Sequence, residues 1–419
     1  MINKKLVLSD STNNDRIVLY FFLVLQGVFL YVLYRGKYRI CPVARIQILL
    51  NRYQGKSIPF YIVRQADEQQ PSGGLKMVDR KSNLIGSREN KKNSHGTRPE
   101  WYRRLATFRK SDPKKAIWQL INTLVPYGCL WYLMIQSIQR GYPYILTLGL
   151  TLIAAAFLVR IFILFHDCVH GAFFRSKRVN TLFGYLLGLL VFTSFEDWQY
   201  SHLRHHATCA NLDARGFGDI WTMTASEYAA SPKLTQWQYR FYRNPLVLVG
   251  LGAVFNFLLS NRLPTRTAKK KVRLGVLFTN LLIIGVFLVA TWFIGWQTYL
   301  LIQLPVIWLA GSAGIWLFYV QHQFEGVYWA RKSEWSHFRA SMEGSSFYKL
   351  PAVFRWFSGN IGYHHIHHLS PGIPNYHLKS CFDAVPALQA KEPITIVKSL
   401  ACLRLKMWDE AGQKIVTFR

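Results

Sequence analysis

The sequence predicts an all-α integral membrane protein: four transmembrane helices in two hairpins, with a cytoplasmic helical cap that carries clustered histidines. Three observations lead there. Hydrophobic residues make up 51% of the 419-residue chain and charged residues only 17%, and the apolar residues gather in long blocks. Four of these blocks pair across short tips that are almost free of charge. The formal net charge of +30 collects at the opposite ends of the blocks. Such a composition excludes a disordered polyelectrolyte, and the length and six scattered cysteines exclude a small disulfide-stapled domain. Nucleic-acid binders are usually richer in charge, so no nucleic-acid partner is expected.

A membrane helix needs roughly 20 apolar residues. The block from Ile17 to Tyr34 is bounded by Arg16 and Arg35 and reads as an extra apolar helix in a basic, otherwise irregular extension over residues 1–97. Organised sequence begins near Pro99, which raises the expectation that Met77 is the natural start. The first hairpin joins Trp118–Ile138 to Tyr144–Phe165 through Gln139-Arg140-Gly141-Tyr142-Pro143. Its second arm holds one charge, Arg160. Leu182–Phe195 and Pro245–Ser260 are shorter and contain several glycines, so they read as interfacial or re-entrant helices. The second hairpin joins Leu274–Ile294 to Thr298–Val320 through Gly295-Trp296-Gln297. Lys114, Lys115, Arg175, Lys177, Arg178, Lys269, Lys270, Lys271, Arg273, Arg331 and Lys332 flank the other ends. Positive charge favours the cytoplasm, so both tips face outward and residues 166–272 and 321–419 are cytoplasmic. The membrane domain spans 98–380, followed by a cytoplasmic tail over 381–419, in which apolar spacing over Ile394–Met407 predicts an amphipathic helix.

Nine of the 13 histidines fall into a pattern. His166 and His170 are four apart, which places both rings on one helix face. His202, His205 and His206 form an H-x2-H-H triple, and His364, His367 and His368 repeat it. His322 follows the last apolar block and emerges on the same side. Uncommitted imidazoles at a membrane boundary are costly. Neutral imidazole is the commonest metal ligand among side chains, and a metal takes four or five such ligands, so nine suit two metals. Ligand type fits Fe, Zn, Cu or Ni alike.

The segments His166-Asp167-Cys168-Val169-His170, His202-Leu203-Arg204-His205-His206 and His364-His365-Ile366-His367-His368 resemble the three histidine boxes of the membrane fatty-acid desaturases, in order, spacing and relation to the spans. Tyr319-Val320-Gln321-His322-Gln323-Phe324-Glu325 is similar to the extra-histidine segment of that family. Gly359-Asn360-Ile361-Gly362-Tyr363 looks most like the bacterial acyl-lipid desaturases. The likeness covers roughly residues 100–380. It implies a non-haem di-iron centre facing the cytoplasm of a bacterial plasma membrane, held by His166, His170, His202, His205, His206, His322, His364, His367 and His368. It also implies O2 as co-substrate, an acyl lipid as substrate and a cis double bond as product.

His365 occupies a variable slot and is not expected to bind metal; His95, His337 and His377 read as surface or structural. Phe318 stands where some members have a water-holding Asn, which makes Asn360 a candidate for that role. Asp167, Glu196, Asp197, Asp213, Asp219 and Glu325 are candidates to accept a ligand's ring N–H. Trp198, Tyr200, Trp221, Phe318 and Tyr363 are candidates to line the acyl channel. The sequence has neither a GxGxxG fingerprint nor a His-Pro-Gly-Gly haem motif, and no CxxC pair, so electrons are expected from an external carrier of the ferredoxin or flavodoxin type. The alternatives are a histidine-box hydroxylase or ketolase, and a non-enzymatic metal-binding membrane protein.

Overall fold

The computed structural model describes residues 99–418. The expected apolar helix over 17–34, Met77 and His95 lie outside the described residues. Helix α1 (Trp101–Phe108) leads into α2 (Pro113–Gln139) and α3 (Tyr144–Val169). The start of α2 is fixed chemically. Pro113 occupies the first helical position, and the Asp112 side chain accepts the backbone N–H groups of Lys114 and Lys115. α3 stops at His170 because Gly171 adopts φ +67 there, a conformation that costs a residue without Cβ little.

Then come α4 (Lys177–Leu190), α5 (Phe195–Thr208), α6 (Ala225–Ala230), α7 (Lys233–Tyr242) and α8 (Leu246–Arg262). The second hairpin is α9 (Lys270–Ile294) and α10 (Trp296–His322), turned by Gly295 at φ +79. Smaller cap elements follow: α11 (His337–Met342), β1 (Phe347–Tyr348), α12 (Ala352–Phe357), α13 (His364–Leu369), α14 (Asn375–Ala384), α15 (Pro386–Gln389), β2 (Pro393–Ile394), α16 (Ile396–Ala401), β3 (Met407–Asp409) and β4 (Lys414–Val416).

The chain is mostly helical, and four helices reach 25 to 27 residues. Three of them, α3, α9 and α10, are long and apolar enough to cross a membrane. Counting the bent pairs α4–α5 (102°) and α7–α8 (70°) as broken spans raises the number to five. α2 has the length but a more mixed composition, with Gln119, Asn122 and Gln136 along it. α3 is the central helix: α2, α4 and α10 pack around it, and its Ala154, Leu158, Ile161, Leu164 and Phe165 are buried. α9 instead leaves Leu281, Leu288 and Val289 exposed, as a lipid-facing helix would.

Two expectations need correction. The described residues are not all helical: β1 pairs in parallel with β2, and β3 pairs antiparallel with β4. The amphipathic helix expected over Ile394–Met407 is confined to α16 and a 3₁₀ turn at Cys402–Arg404, with strand residues at both ends. The reason is tertiary. Leu405 O accepts hydrogen bonds from Arg243 Nη2 and Tyr319 Oη, and Lys406 O accepts one from Tyr239 Oη. These partners hold the segment extended. It packs into the cap through Cys402, Met407 and Trp408, all buried.

Candidate metal centre

Each histidine stretch sits at a helix end or on a short cap helix. α3 delivers His166 from its last turn and His170 at its C-cap, and α5 carries His202, His205 and His206. α10 ends on His322, and α13 consists largely of the third stretch. Gly362 lets the chain enter α13: it lies so close to β1 that a Cβ there would meet Tyr348 O at 2.3 Å.

All nine predicted histidines converge, and they sort into two sets. Ligand atoms of His166, His170, His202, His206 and His367 lie within 4.8 Å of one another. Those of His205, Cys209, His322 and His368 do the same. His364 joins the second set through its Nε2, 2.9 Å from His322 Nε2 and 3.1 Å from His368 Nε2.

Donor chemistry shows that the residues fit a metal. His205 Nε2 lies 3.2 Å from His322 Nε2, so four Nε2 atoms run in a chain from His205 through His322 and His364 to His368. A neutral ring nitrogen either donates one proton or accepts one, so His322 and His364 cannot satisfy both neighbours at once. In the other set His202, His206 and His367 make the same pattern at 3.1 and 3.0 Å. His170 Nε2 is buried there without a hydrogen-bond partner. A cation that accepts all these lone pairs resolves the conflict. Burial holds His364, His367 and His368 well below the usual imidazole range, with neighbouring imidazoles adding to it, so they are neutral and able to ligate.

The outer ring nitrogens set the tautomers. His205 Nδ1 lies 2.5 Å from Asp219 Oδ1. An ionised carboxylate only accepts, so Nδ1 carries the proton and Nε2 faces the cluster. Gly216 and Gly218, at φ +101 and +66, turn the loop that brings Asp219 in, and Gly216 N donates to Asp219 Oδ2. His322 Nδ1 faces Gly344 O at 3.3 Å and Cys209 Sγ at 3.6 Å. Asp167 Oδ1 is 3.4 Å from His166 Nδ1, while its Oδ2 accepts from Asn375 N at 2.6 Å and Nδ2 at 2.8 Å.

The other predicted acids point elsewhere. Asp197 accepts from Thr265, and Asp213 binds Arg331 and the Lys332 backbone. Glu196 packs against Gly275 of α9, and Glu325 is exposed. Asn360 adopts φ +59 and donates to Asn375 O, tying its loop to α14. Of the aromatic candidates, Trp198 stacks on His202 at 4.1 Å between ring centres, and Phe318 packs on His205 and His322. Tyr200 bonds Thr267, Trp221 packs on Tyr239 and Tyr242, and Tyr363 stacks on Phe347. A small cavity opens beside the second set, lined among others by His205, Asp219, Phe318, His322 and Trp329.

His365 sits outside both sets, its Nε2 3.2 Å from Leu388 O. His377 lies against Phe108 O and Lys115, and His337 opens α11 beside Trp335. Sequence reasoning missed Cys209, Gly344 and Asn375. Cys209 was in reach, three residues after His206. Gly344 and Asn375 contact the site only through the fold and carry no local signal.

The comparisons agree with this geometry. The family described as fatty acid desaturase matches residues 143–399. A fatty acid desaturase of Bacillus subtilis is 45% identical over 317 residues, covering 76% of this chain and 90% of that protein. An sn-1 oleoyl-lipid 12-desaturase of Synechocystis sp. is 25% identical over 230 residues, 52% of this chain and 62% of that one. An sn-1 acyl-lipid omega-3 desaturase (ferredoxin) of Nostoc sp. is 27% identical over 279 residues, 61% and 73% of the two chains. With apolar helices, histidine clusters able to hold metal and these matches, the chain belongs to the fatty acid desaturase family of membrane oxidoreductases.

Proposed function

We propose that the protein introduces a cis double bond into an acyl chain of a membrane lipid, using O2 and two irons held by the nine histidines. The observation that carries this is the sorting of nine imidazoles into sets of five and four at the ends of apolar helices. His166, His170, His202, His206 and His367 would hold one iron, and His205, His322, His364 and His368 the other. Bound there, the irons would supply the oxidising power to remove two hydrogens from an unactivated carbon pair, with O2 leaving as two waters. The balance needs two electrons from outside, because the acyl chain supplies only two of the four.

The chain's own residues do the positioning. Asp219 fixes the His205 ring and its proton, Gly344 O does so for His322, and Trp198 and Phe318 wall the centre with apolar surface that limits water. Four spans, α2, α3, α9 and α10, would put both hairpin tips outside and the histidines on the cytoplasmic face of a bacterial plasma membrane. The basic residues at that end support this orientation. They also suit docking of a small acidic electron carrier, and the Nostoc relative's name includes ferredoxin.

The test is fatty-acid methyl ester analysis of lipids from a host expressing the chain, beside His202→Ala. A new double bond with wild type, absent with His202→Ala and without O2, is expected. Oxygenated acyl chains, or an unchanged profile from well-expressed wild type, would refute the reading.

A further inference from the structure

An apolar face on the cap is left uncovered. α12 exposes Val353 (64%), Phe354 (56%) and Trp356 (37%), and α16 exposes Val397 (79%) and Leu400 (58%). We infer that α12 and α16 form a lipid-embedded shelf, whose exposed side chains sit among the acyl chains of the leaflet beside the histidine centre. The sequence placed both helices in an aqueous region, so this surface carries a role that the charge pattern did not reveal.

Depth is the main argument. α12 is fastened to α3 partway along its apolar length. The Trp356 and Phe357 rings meet Phe157 edge-on at 5.8 and 5.2 Å. The Arg160 guanidinium lies 3.9 Å over the Trp356 ring and donates to Trp356 O. Arg160 and Phe157 precede His166 by six and nine residues. At a helical rise of about 1.5 Å per residue, these contacts lie roughly 9 and 14 Å from His166, back along α3 into the span. A helix held at that level on the outside of α3 faces lipid.

The second helix is tied to the first. β1 and β2 pair just before each helix, and Tyr348 Oη lies 3.1 Å from Ser399 Oγ of α16. Trp316 Nε1 on α10 donates to the same Tyr348 hydroxyl at 3.4 Å. The shelf is therefore continuous with the sides of two long apolar helices. Lys349 and Arg404 are exposed near the helix ends, where their ammonium and guanidinium groups can reach anionic head groups, while Lys398 pairs with Glu392 at 2.7 Å. An apolar face rimmed by cations matches an interfacial helix pair. α12 also runs within seven residues into His364, so the shelf ties the third histidine stretch to the membrane surface.

Spin labels test the proposal in the full chain, reconstituted without other proteins in phosphatidylglycerol-containing vesicles. Single cysteines replace Val353, Phe354 or Val397 in a background with Cys41→Ser and Cys129→Ser. Leu281→Cys on α9 serves as the lipid-facing control and Lys332→Cys as the aqueous control. Relative accessibility to O2 over a water-soluble nickel chelate gives a depth parameter, positive in lipid and negative in water. Positive values at all three shelf positions, as at Leu281, are expected. All three side chains are exposed, so labelling them removes little packing. Negative values at Val353 and Val397, as at Lys332, would overturn the proposal and point to a protein partner as the cover.

Discussion

Asp219 is the most informative single residue to change. Its carboxylate lies 2.5 Å from His205 Nδ1 and is held by Gly216 N, so it fixes both the orientation and the tautomer of one proposed ligand. A hydrogen bond to a charged group of this kind is worth about 1.5–3 kcal/mol. Outer partners of metal-bound histidines typically contribute 10- to 100-fold in metal affinity, about 1.4–2.7 kcal/mol, so the two figures agree. The loss should fall on the second set alone, because the first set has no contact with Asp219. The assay is metal retained per chain against rising chelator, for wild type, Asp219→Ala, Asp219→Asn and Asp213→Ala. Asp219→Ala should release one portion of its metal at 10- to 100-fold lower chelator and keep the rest. Asp219→Asn should fall between, since an amide oxygen still accepts but carries no charge. Asp213→Ala, which removes a half-exposed pair with Arg331, should overlay wild type. An Asp219→Ala curve that overlays wild type would refute the orienting role.

Other perturbations follow from the same contacts. Gly362→Ala drives a Cβ into Tyr348 O at 2.3 Å, so it should displace α13 and cost about 1–3 kcal/mol with loss of bound metal, read by thermal unfolding and metal analysis. Arg243→Met removes hydrogen bonds to Gln323 Oε1, Leu405 O and Tyr319 Oη from a fully buried site, and should lower stability by about 3 kcal/mol or more. Lys391 is half-buried beside the Phe324 ring, and that burial pushes its ammonium down to about 8. Between that value and the ordinary 10.5 the unfolded chain holds a proton that the folded chain lacks, so stability should rise with pH across this window. Lys391→Met should therefore stabilise by about 1–3 kcal/mol at pH 7 and flatten that rise.

Eight of the nine histidines were legible because helical spacing places i, i+3 and i+4 on one face, His322 because it follows the last apolar block, and the long helices because lipid demands long apolar runs. What the sequence could not rank were the partners. Asp167, Asp197, Asp213 and Asp219 look alike locally, and only the fold turns Asp219 onto His205 while giving Asp197 to Thr265. The tail was misread over Ile394–Met407 for a similar reason. Its apolar spacing suits a helix, but Arg243, Tyr239 and Tyr319 capture its carbonyls and hold Leu405 and Lys406 extended. α12 escaped notice because six residues carry too little periodicity, and its depth depends on contacts with Phe157 and Arg160.

The most direct test of a two-metal centre is metal stoichiometry by mass spectrometry, with Mössbauer spectra on ⁵⁷Fe-grown protein. Two irons held by nine imidazoles predict about two iron atoms per chain in wild type. His206→Ala should lower occupancy in the five-histidine set and leave the signal of the other; His322→Ala should do the reverse. One metal per chain in fully loaded wild type, or two retained in both variants, would contradict the assignment.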